Sequence, residues 1–133
     1  MLNALAHRRA GFTLVEIMIV VAIIAMLAAI AVPNFLRARK RSQATRILQD
    51  LRMIDSAIDQ YAIETNKTTG ANVDWTDVKG YLKIGSTLYH STGKDMLSNS
   101  FGTFSVDATP KVPAATFTKL SDSAPAEFWS PYK

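Results

Sequence analysis

Residues 14–36 read LVEIMIVVAIIAMLAAIAVPNFL, and this apolar stretch decides the architecture of the chain. As a helix rising ~1.5 Å per residue it would be about 34 Å long, which matches the ~30 Å hydrocarbon thickness of a bilayer. A secretory signal has a shorter apolar core of about 7–15 residues, followed by a small-residue cleavage site. The rest of the chain is too small to surround such a helix as a soluble core. We therefore predict a membrane-spanning helix.

One side chain in this stretch is unusual for a membrane segment, the carboxylate of Glu16. A charged side chain at the centre of a bilayer costs roughly 2.5–3.5 kcal/mol on insertion scales. The simplest explanation is a glutamate close enough to the interface to reach the lipid headgroups.

The distribution of charge divides the chain at the end of this stretch. The formal net charge is +4, and every arginine lies at or before Arg52. Arg8 and Arg9 precede the apolar stretch, whereas a basic cluster, residues 37–41, follows it. By the positive-inside rule alone, the side that follows the stretch would be cytoplasmic. The sequence has no cysteine, which excludes disulfides, thiolate metal sites and cysteine nucleophiles.

Residues 8–16, RRAGFTLVE, resemble the class III signal peptides of type IV pilins and type II secretion pseudopilins. In that family a short basic leader ends in glycine. A membrane-embedded prepilin peptidase cuts after this glycine from the cytoplasmic side and methylates the new amino terminus. The resemblance implies cleavage between Gly11 and Phe12, N-methylation of Phe12 and a leader peptide of residues 1–11.

The same resemblance implies a role for Glu16 in assembly. In pilin filaments the N-terminal helices pack side by side, and the glutamate neutralises the N-terminal ammonium of a neighbouring subunit. Glu16 and the amine of Phe12 would then fix the register of a filament, because an unpaired charge in a low-dielectric core is costly. Pro33 corresponds to the proline at which the helix of the family bends.

The resemblance also reverses the orientation that the arginines predict. Because the peptidase acts from the cytoplasm, the leader stays there, and the basic cluster meets headgroups on the periplasmic face. This implies a single-pass protein of the bacterial inner membrane, with a cytoplasmic N-terminus and a periplasmic C-terminal domain. After assembly the location would be a filament in the periplasm or at the cell surface.

Beyond the apolar stretch, the apolar residues continue to recur at helical spacing. They are Ala44, Ile47, Leu48, Leu51, Ile54, Ile58 and Tyr61. We predict a membrane or filament-core helix over residues 12–36 and its amphipathic continuation over residues 37–65. Together they form one helix from about Phe12 to Glu64, bent at Pro33, because proline removes a backbone hydrogen bond.

The predicted fold class is α+β, with the long helix packed against a small antiparallel sheet, as in pilins. Residues 66–133 would form this C-terminal α/β region and cover the apolar stripe. Asp74 predicts the N-cap of a short helix over residues 75–79. Residues 101–106 and 126–132 are the predicted strands, and residues 110–120 suit either a short helix or a strand.

The sequence contains no constellation typical of an enzyme, a cofactor site or a metal site. His90 is the only histidine after the leader, and we expect it at the surface. Asp74 and Asp77 are possible calcium ligands, because some major pseudopilins bind calcium in this domain, but this spacing is more typical of a helix cap. The basic cluster lacks the alternating aromatic residues of a single-strand nucleic-acid site, so we expect it to contact anionic lipid headgroups instead.

These features predict a structural subunit of a type IV pilus-like or pseudopilus filament. The expected partners are prepilin peptidase, copies of the same chain, other pilins or pseudopilins, an inner-membrane assembly platform and membrane lipid. The alternative is a processed, membrane-anchored binding module, or a minor pilin that does not form the bulk of the filament. Glu16 discriminates between the two, because a monomeric module does not need it. Many type IV pilins close their C-terminal region with a disulfide, which this chain cannot do, and this favours a pseudopilin or a minor subunit.

Overall fold

The computed structural model describes residues 10–133, which form a long helix followed by a region of short elements. In chain order these are α1 (Leu14–Thr65), β1 (Asn72–Val73), α2 (Trp75–Lys79), α3 (Thr87–His90), β2 (Phe104–Ser105), α4 (Ala114–Leu120) and the 3-10 helix η1 (Ala126–Trp129). The fold is α+β, as predicted. Two compact units meet between Leu36 and Arg37, and helix α1 runs through both.

In the first unit, helix α1 is apolar around its whole circumference. Every side chain from residue 14 to residue 36 is exposed. Among the described residues, α1 is the one helix that is long and apolar enough to cross a membrane. So large an apolar surface needs a cover of lipid or of other protein, because soluble monomers rarely expose contiguous apolar patches of more than a few hundred Å².

Helix α1 continues through Pro33 with helical backbone on both sides of it. Because proline has no N–H, the carbonyl oxygen of Ala29 loses its intrahelical donor. The bend at Pro33 stays a prediction.

The helix ends at Thr65, one residue beyond the predicted end. Asn66 has a left-handed backbone with φ 51°. The N–H of Lys67 donates to the carbonyl of Ala62 at 3.1 Å. This is the bond pattern of a Schellman motif, in which asparagine can replace the more common glycine.

The core of the second unit lies on the apolar stripe of α1, which confirms the predicted amphipathic helix. The buried apolar residues of α1 are Ala44, Ile47, Leu48, Leu51, Ile54, Ala57 and Ile58. They belong to one cluster with Val73, Val78, Leu82, Leu88, Phe101, Phe104, Val106, Val112, Leu120, Ala124, Trp129 and Tyr132. Trp129 is fully buried, and its indole N–H donates to the carbonyl of Ala124 at 3.0 Å.

The sheet of the second unit is short and antiparallel, with Asn72 opposite Ser105 and Val73 opposite Phe104. Strand β2 lies within the predicted strand 101–106. Residues 110–120, which suited either a short helix or a strand, contain helix α4.

The predicted strand at residues 126–132 is wrong, because this segment begins with the 3-10 helix η1. Pro125 precedes this segment and Pro131 lies within it, and a residue without an N–H cannot donate to a strand ladder. The aromatic side chains of Trp129 and Tyr132 are nevertheless buried in the core.

Candidate functional site

The first turn of α1 folds Glu16 back onto the residue that precedes the helix. Its Oε2 accepts a hydrogen bond from the backbone N–H of Thr13 at 2.9 Å. In return, the Thr13 Oγ1 accepts from the N–H of Glu16 at 3.2 Å. This reciprocal pair is a capping box, in which threonine occupies the N-cap and glutamate the third helical position. Thr13 was missed at the level of sequence, although T-x-x-E before an apolar run is a signal for this motif.

The capping box gives the carboxylate of Glu16 a partner within its own chain. The carboxylate also lies at the helix N-terminus, where the helix dipole favours a negative charge. Its other oxygen, Oε1, has no hydrogen-bond partner within residues 10–133. One side of the carboxylate is therefore open to a donor from outside the chain.

Gly11 and Phe12, the two residues at the predicted cleavage point, are both exposed. Phe12 is 84% exposed. A Cβ added at Gly11 would meet no atom within 4 Å, so packing in the described part of the chain does not require glycine there. Arg8 and Arg9, like the rest of residues 1–9, lie outside the described residues.

Two side chains of the basic cluster, Lys40 and Arg41, contact residues near the C-terminus of the chain. Lys40 Nζ lies 2.7 Å from the Asp122 carboxylate, and this hydrogen bond lowers the pKa of the Asp122 carboxyl. Arg41 donates to the carbonyl of Ser123 at 2.9 Å, and its guanidinium also lies 4.5 Å from the centre of the Phe128 ring.

The remaining arginines of the cluster, Arg37 and Arg39, are exposed. They have no ion-pair partner among residues 10–133. Within the cluster they are therefore the cations most available to a lipid headgroup.

Asp50 is a buried carboxylate on the core side of α1, with 7% of its surface exposed. Burial raises the pKa of this carboxyl, and the charge of Arg46 one turn earlier opposes the effect. Asp50 lines a small groove of about 200 Å³ together with Arg46, Thr87 and Asp95. Its position among the apolar residues of the stripe distinguishes it from the surface acids.

Asp95 organises the loop between α3 and β2. One of its oxygens accepts from the N–H groups of Leu97 and Asn99, each at 2.9 Å. The other accepts from the hydroxyl of Thr116, which also accepts from the side-chain amide of Asn99 at 2.8 Å. Sequence reasoning missed Asp95 and Thr116, because their pairing depends on tertiary structure. This loop is closed by a hydrogen-bonded carboxylate.

The acids considered as calcium ligands have a structural role at helix α2. The Asp77 carboxylate accepts from the N–H of Asp74 at 3.1 Å, as in a capping box. The part of the chain that is described holds no group of three or more metal-ligating side chains. His90 is exposed, with its ring edge-on to Tyr89.

Comparison with known proteins places these features in a family. A family model described as the prokaryotic N-terminal methylation motif matches residues 6–32. The chain is 41% identical over 66 residues to the type IV major fimbrial protein FimA of Dichelobacter nodosus, covering 50% of this chain and 41% of that protein. It is 34% identical over 61 residues to the type II secretion system core protein G of Pectobacterium carotovorum subsp. carotovorum, covering 46% of this chain and 39% of that protein.

A longer similarity links the chain to a fimbrial protein of Pseudomonas aeruginosa. The two are 34% identical over an alignment of 110 residues, which covers 74% of this chain and 66% of that protein. The matches to the first two relatives span about two fifths of each relative's length. No solved structure matches the chain.

Proposed function

We propose that this chain, which belongs to the family of type IV pilins and type II secretion pseudopilins, is a subunit of a helical filament that assembles through its N-terminal helix. The observation that carries the proposal is the open carboxylate oxygen of Glu16 at the start of an apolar helical stretch, residues 14–36, whose side chains are all exposed. A membrane anchor alone needs the apolar surface but not the carboxylate.

Processing is the first step of the proposed function. A prepilin peptidase cuts between Gly11 and Phe12 and methylates the new amine of Phe12. The family motif covers this bond, and both residues are exposed. Cleavage removes the leader and places an ammonium group one residue before the capping box.

Assembly then brings this ammonium to Glu16 of a neighbouring subunit. The Oε2 of Glu16 stays on the N–H of Thr13, while Oε1 accepts from the incoming amine. Both charges are then paired inside the apolar core of the filament. Leaving one of them unpaired would cost several kcal/mol, so subunits at the wrong axial offset are disfavoured.

Before assembly, the apolar half of α1 spans the inner membrane, with the second unit on the periplasmic side. Arg37 and Arg39 lie just past the apolar residues, where a basic side chain near anionic headgroups contributes about 1 kcal/mol. An assembly platform in the inner membrane and other pilins or pseudopilins are the partners that this role requires.

The test is to express the full chain with and without an active prepilin peptidase, beside a Gly11→Leu variant. Wild type should lose residues 1–11 and begin with N-methylphenylalanine, as read by mass spectrometry. Gly11→Leu should stay uncut yet remain in the membrane fraction, because the span is unchanged. Ala31→Leu, which places the same side chain inside the span, is the control and should be cut normally.

Two outcomes would count against the proposal. An uncut wild-type chain beside an active peptidase would remove the processing step. A cut chain that stays monomeric in cross-linking and forms no filaments in the presence of the assembly machinery would instead fit a membrane-anchored binding module.

A further inference from the structure

The residues that follow helix α1, Asn66-Lys67-Thr68, form an N-x-T sequence, which is the acceptor pattern for N-glycosylation. Asn66 is the one asparagine of the chain with a serine or threonine two positions later. An acidic residue, Glu64, stands two positions before it. Filament assembly through the N-terminal helix makes no use of this sequence.

The fold explains only part of this sequence. A left-handed backbone at the helix end accounts for an asparagine or glycine at position 66. It does not account for the threonine at position 68, which is exposed and whose hydroxyl makes no hydrogen bond within residues 10–133. The next residue differs, because the Thr69 hydroxyl donates to the Asp107 carboxylate.

The surroundings of Asn66 leave room for a sugar. Asn66, Lys67 and Thr68 are all exposed, and the Asn66 side-chain amide has no hydrogen-bond partner in the described part of the chain. An open groove of about 620 Å³ runs beside them. Its lining includes Ile63, which is 76% exposed, and Asp107. The groove thus offers an apolar surface for a sugar ring and a carboxylate for its hydroxyl groups.

We propose that Asn66 is a glycosylation site whose donor substrate is an oligosaccharide carried on a polyprenyl diphosphate. The Asn66 amide nitrogen forms a bond to the anomeric carbon, and the bond from that carbon to the diphosphate oxygen breaks. The polyprenyl diphosphate leaves with the electron pair, and the amide nitrogen gives up one proton to a base of the transferase. In cells the reaction rests on the proposed function, because it requires the second unit to lie outside the cytoplasm.

The experiment uses the purified full chain in detergent, a bacterial single-subunit oligosaccharyltransferase and a polyprenyl-diphosphate-linked heptasaccharide. Intact mass and peptide mapping should show one glycan on Asn66. Thr68→Ala should lose the modification, Thr68→Ser should keep it, and Thr69→Ala is the neighbouring control that should also keep it. Asn66 itself is left unchanged in these variants because it ends the helix.

The results separate this site from the proposed function. An unmodified wild-type chain would overturn the proposal, as would a glycan that persists in Thr68→Ala. A peptide spanning residues 59–73 that is modified while the folded chain is not would show that the fold blocks the site. The reaction in detergent needs neither filaments nor a membrane orientation, so its failure counts against the site alone. A modified chain that never forms filaments counts against the proposed function alone.

Discussion

The capping box at the start of α1 gives Glu16 two roles that substitution can separate. Glu16→Gln keeps the box, because glutamine also fills the third helical position, but it removes the charge. Thr13→Ala removes the capping hydroxyl and keeps the charge. Glu16→Ala removes both. We expect filaments from Thr13→Ala, and few or none from either Glu16 variant.

The structure and general magnitudes set the size of these effects. Loss of a helix cap costs about 1 kcal/mol. In the proposed filament, an ammonium buried in the core without its partner would cost about 3–5 kcal/mol. At ~1.4 kcal/mol per factor of ten, the second effect raises the subunit concentration needed for assembly by about two to four orders of magnitude. The first effect raises it by less than about tenfold.

The monomer should respond differently from the filament. Glu16→Gln and Glu16→Ala remove a carboxylate from the apolar zone, so their insertion into the membrane should be equal to that of the parent or better. For Glu16→Ala the lost cap offsets part of this gain. The assay compares the membrane fraction, the sheared surface fraction and electron micrographs from one peptidase-positive strain.

Two patterns of assembly among these variants would refute the reasoning. If Glu16→Gln assembles as well as the parent while Thr13→Ala and Glu16→Ala fail, Glu16 acts through the capping box and the charge is irrelevant. If Glu16→Gln and Glu16→Ala both assemble normally, the carboxylate has no part in assembly.

Three further predictions concern the second unit, each read from thermal unfolding of the full chain in detergent. Burial raises the pKa of the Asp50 carboxyl above 3.8, the ordinary value for aspartate. The free energy of unfolding therefore decreases as the pH rises from 3.8 through the raised pKa. Asp50→Asn should therefore raise the Tm near neutral pH, and this gain should shrink towards pH 3.8; a gain that does not vary with pH would contradict it. Trp129→Ala should destabilise the fold by about 3–5 kcal/mol, and a loss below about 1 kcal/mol would mean that the site collapses around the cavity. Gly93→Ala should cost more than Gly70→Ala, because both glycines have positive φ but only at Gly93 would a Cβ lie 3.2 Å from Trp75; equal losses would leave backbone strain as the sole cause.

Local patterns predicted the elements that local forces determine. The limits of α1 follow from its helical period and its lack of interior glycine, and they were predicted to within two residues. Helix α2 follows from the cap at Asp74 and was also predicted. The segment at residues 126–132 was not, because its aromatic residues suit a strand as well as a buried 3-10 turn. Pro125 and Pro131, which cannot donate to a strand ladder, were the local signal against a strand.

The residues of the candidate site could likewise be predicted only where they stand close together in the sequence. Gly11, Phe12 and Glu16 stand in one contiguous motif, so their proposed roles could be inferred from the sequence. The capping partner Thr13 was equally local and could have been found. Asp95 and Thr116 could not, because the two residues stand 21 positions apart and meet only in the folded chain.

The shortness of the sheet has a consequence for how such chains diverge. Strands β1 and β2 have two residues each, so the chain that follows α1 packs on this helix mainly through separate buried side chains such as Leu88, Leu120 and Trp129. Between these anchors the chain is mostly loop with short elements, and each doubling of a loop's length costs only about 0.6 kcal/mol in closure entropy. Insertions and deletions between anchors are therefore inexpensive for stability, whereas changes at the anchors are not. Related chains can therefore diverge in the loops of the second unit, while the apolar stripe of α1 and the residues packed on it keep the same requirements.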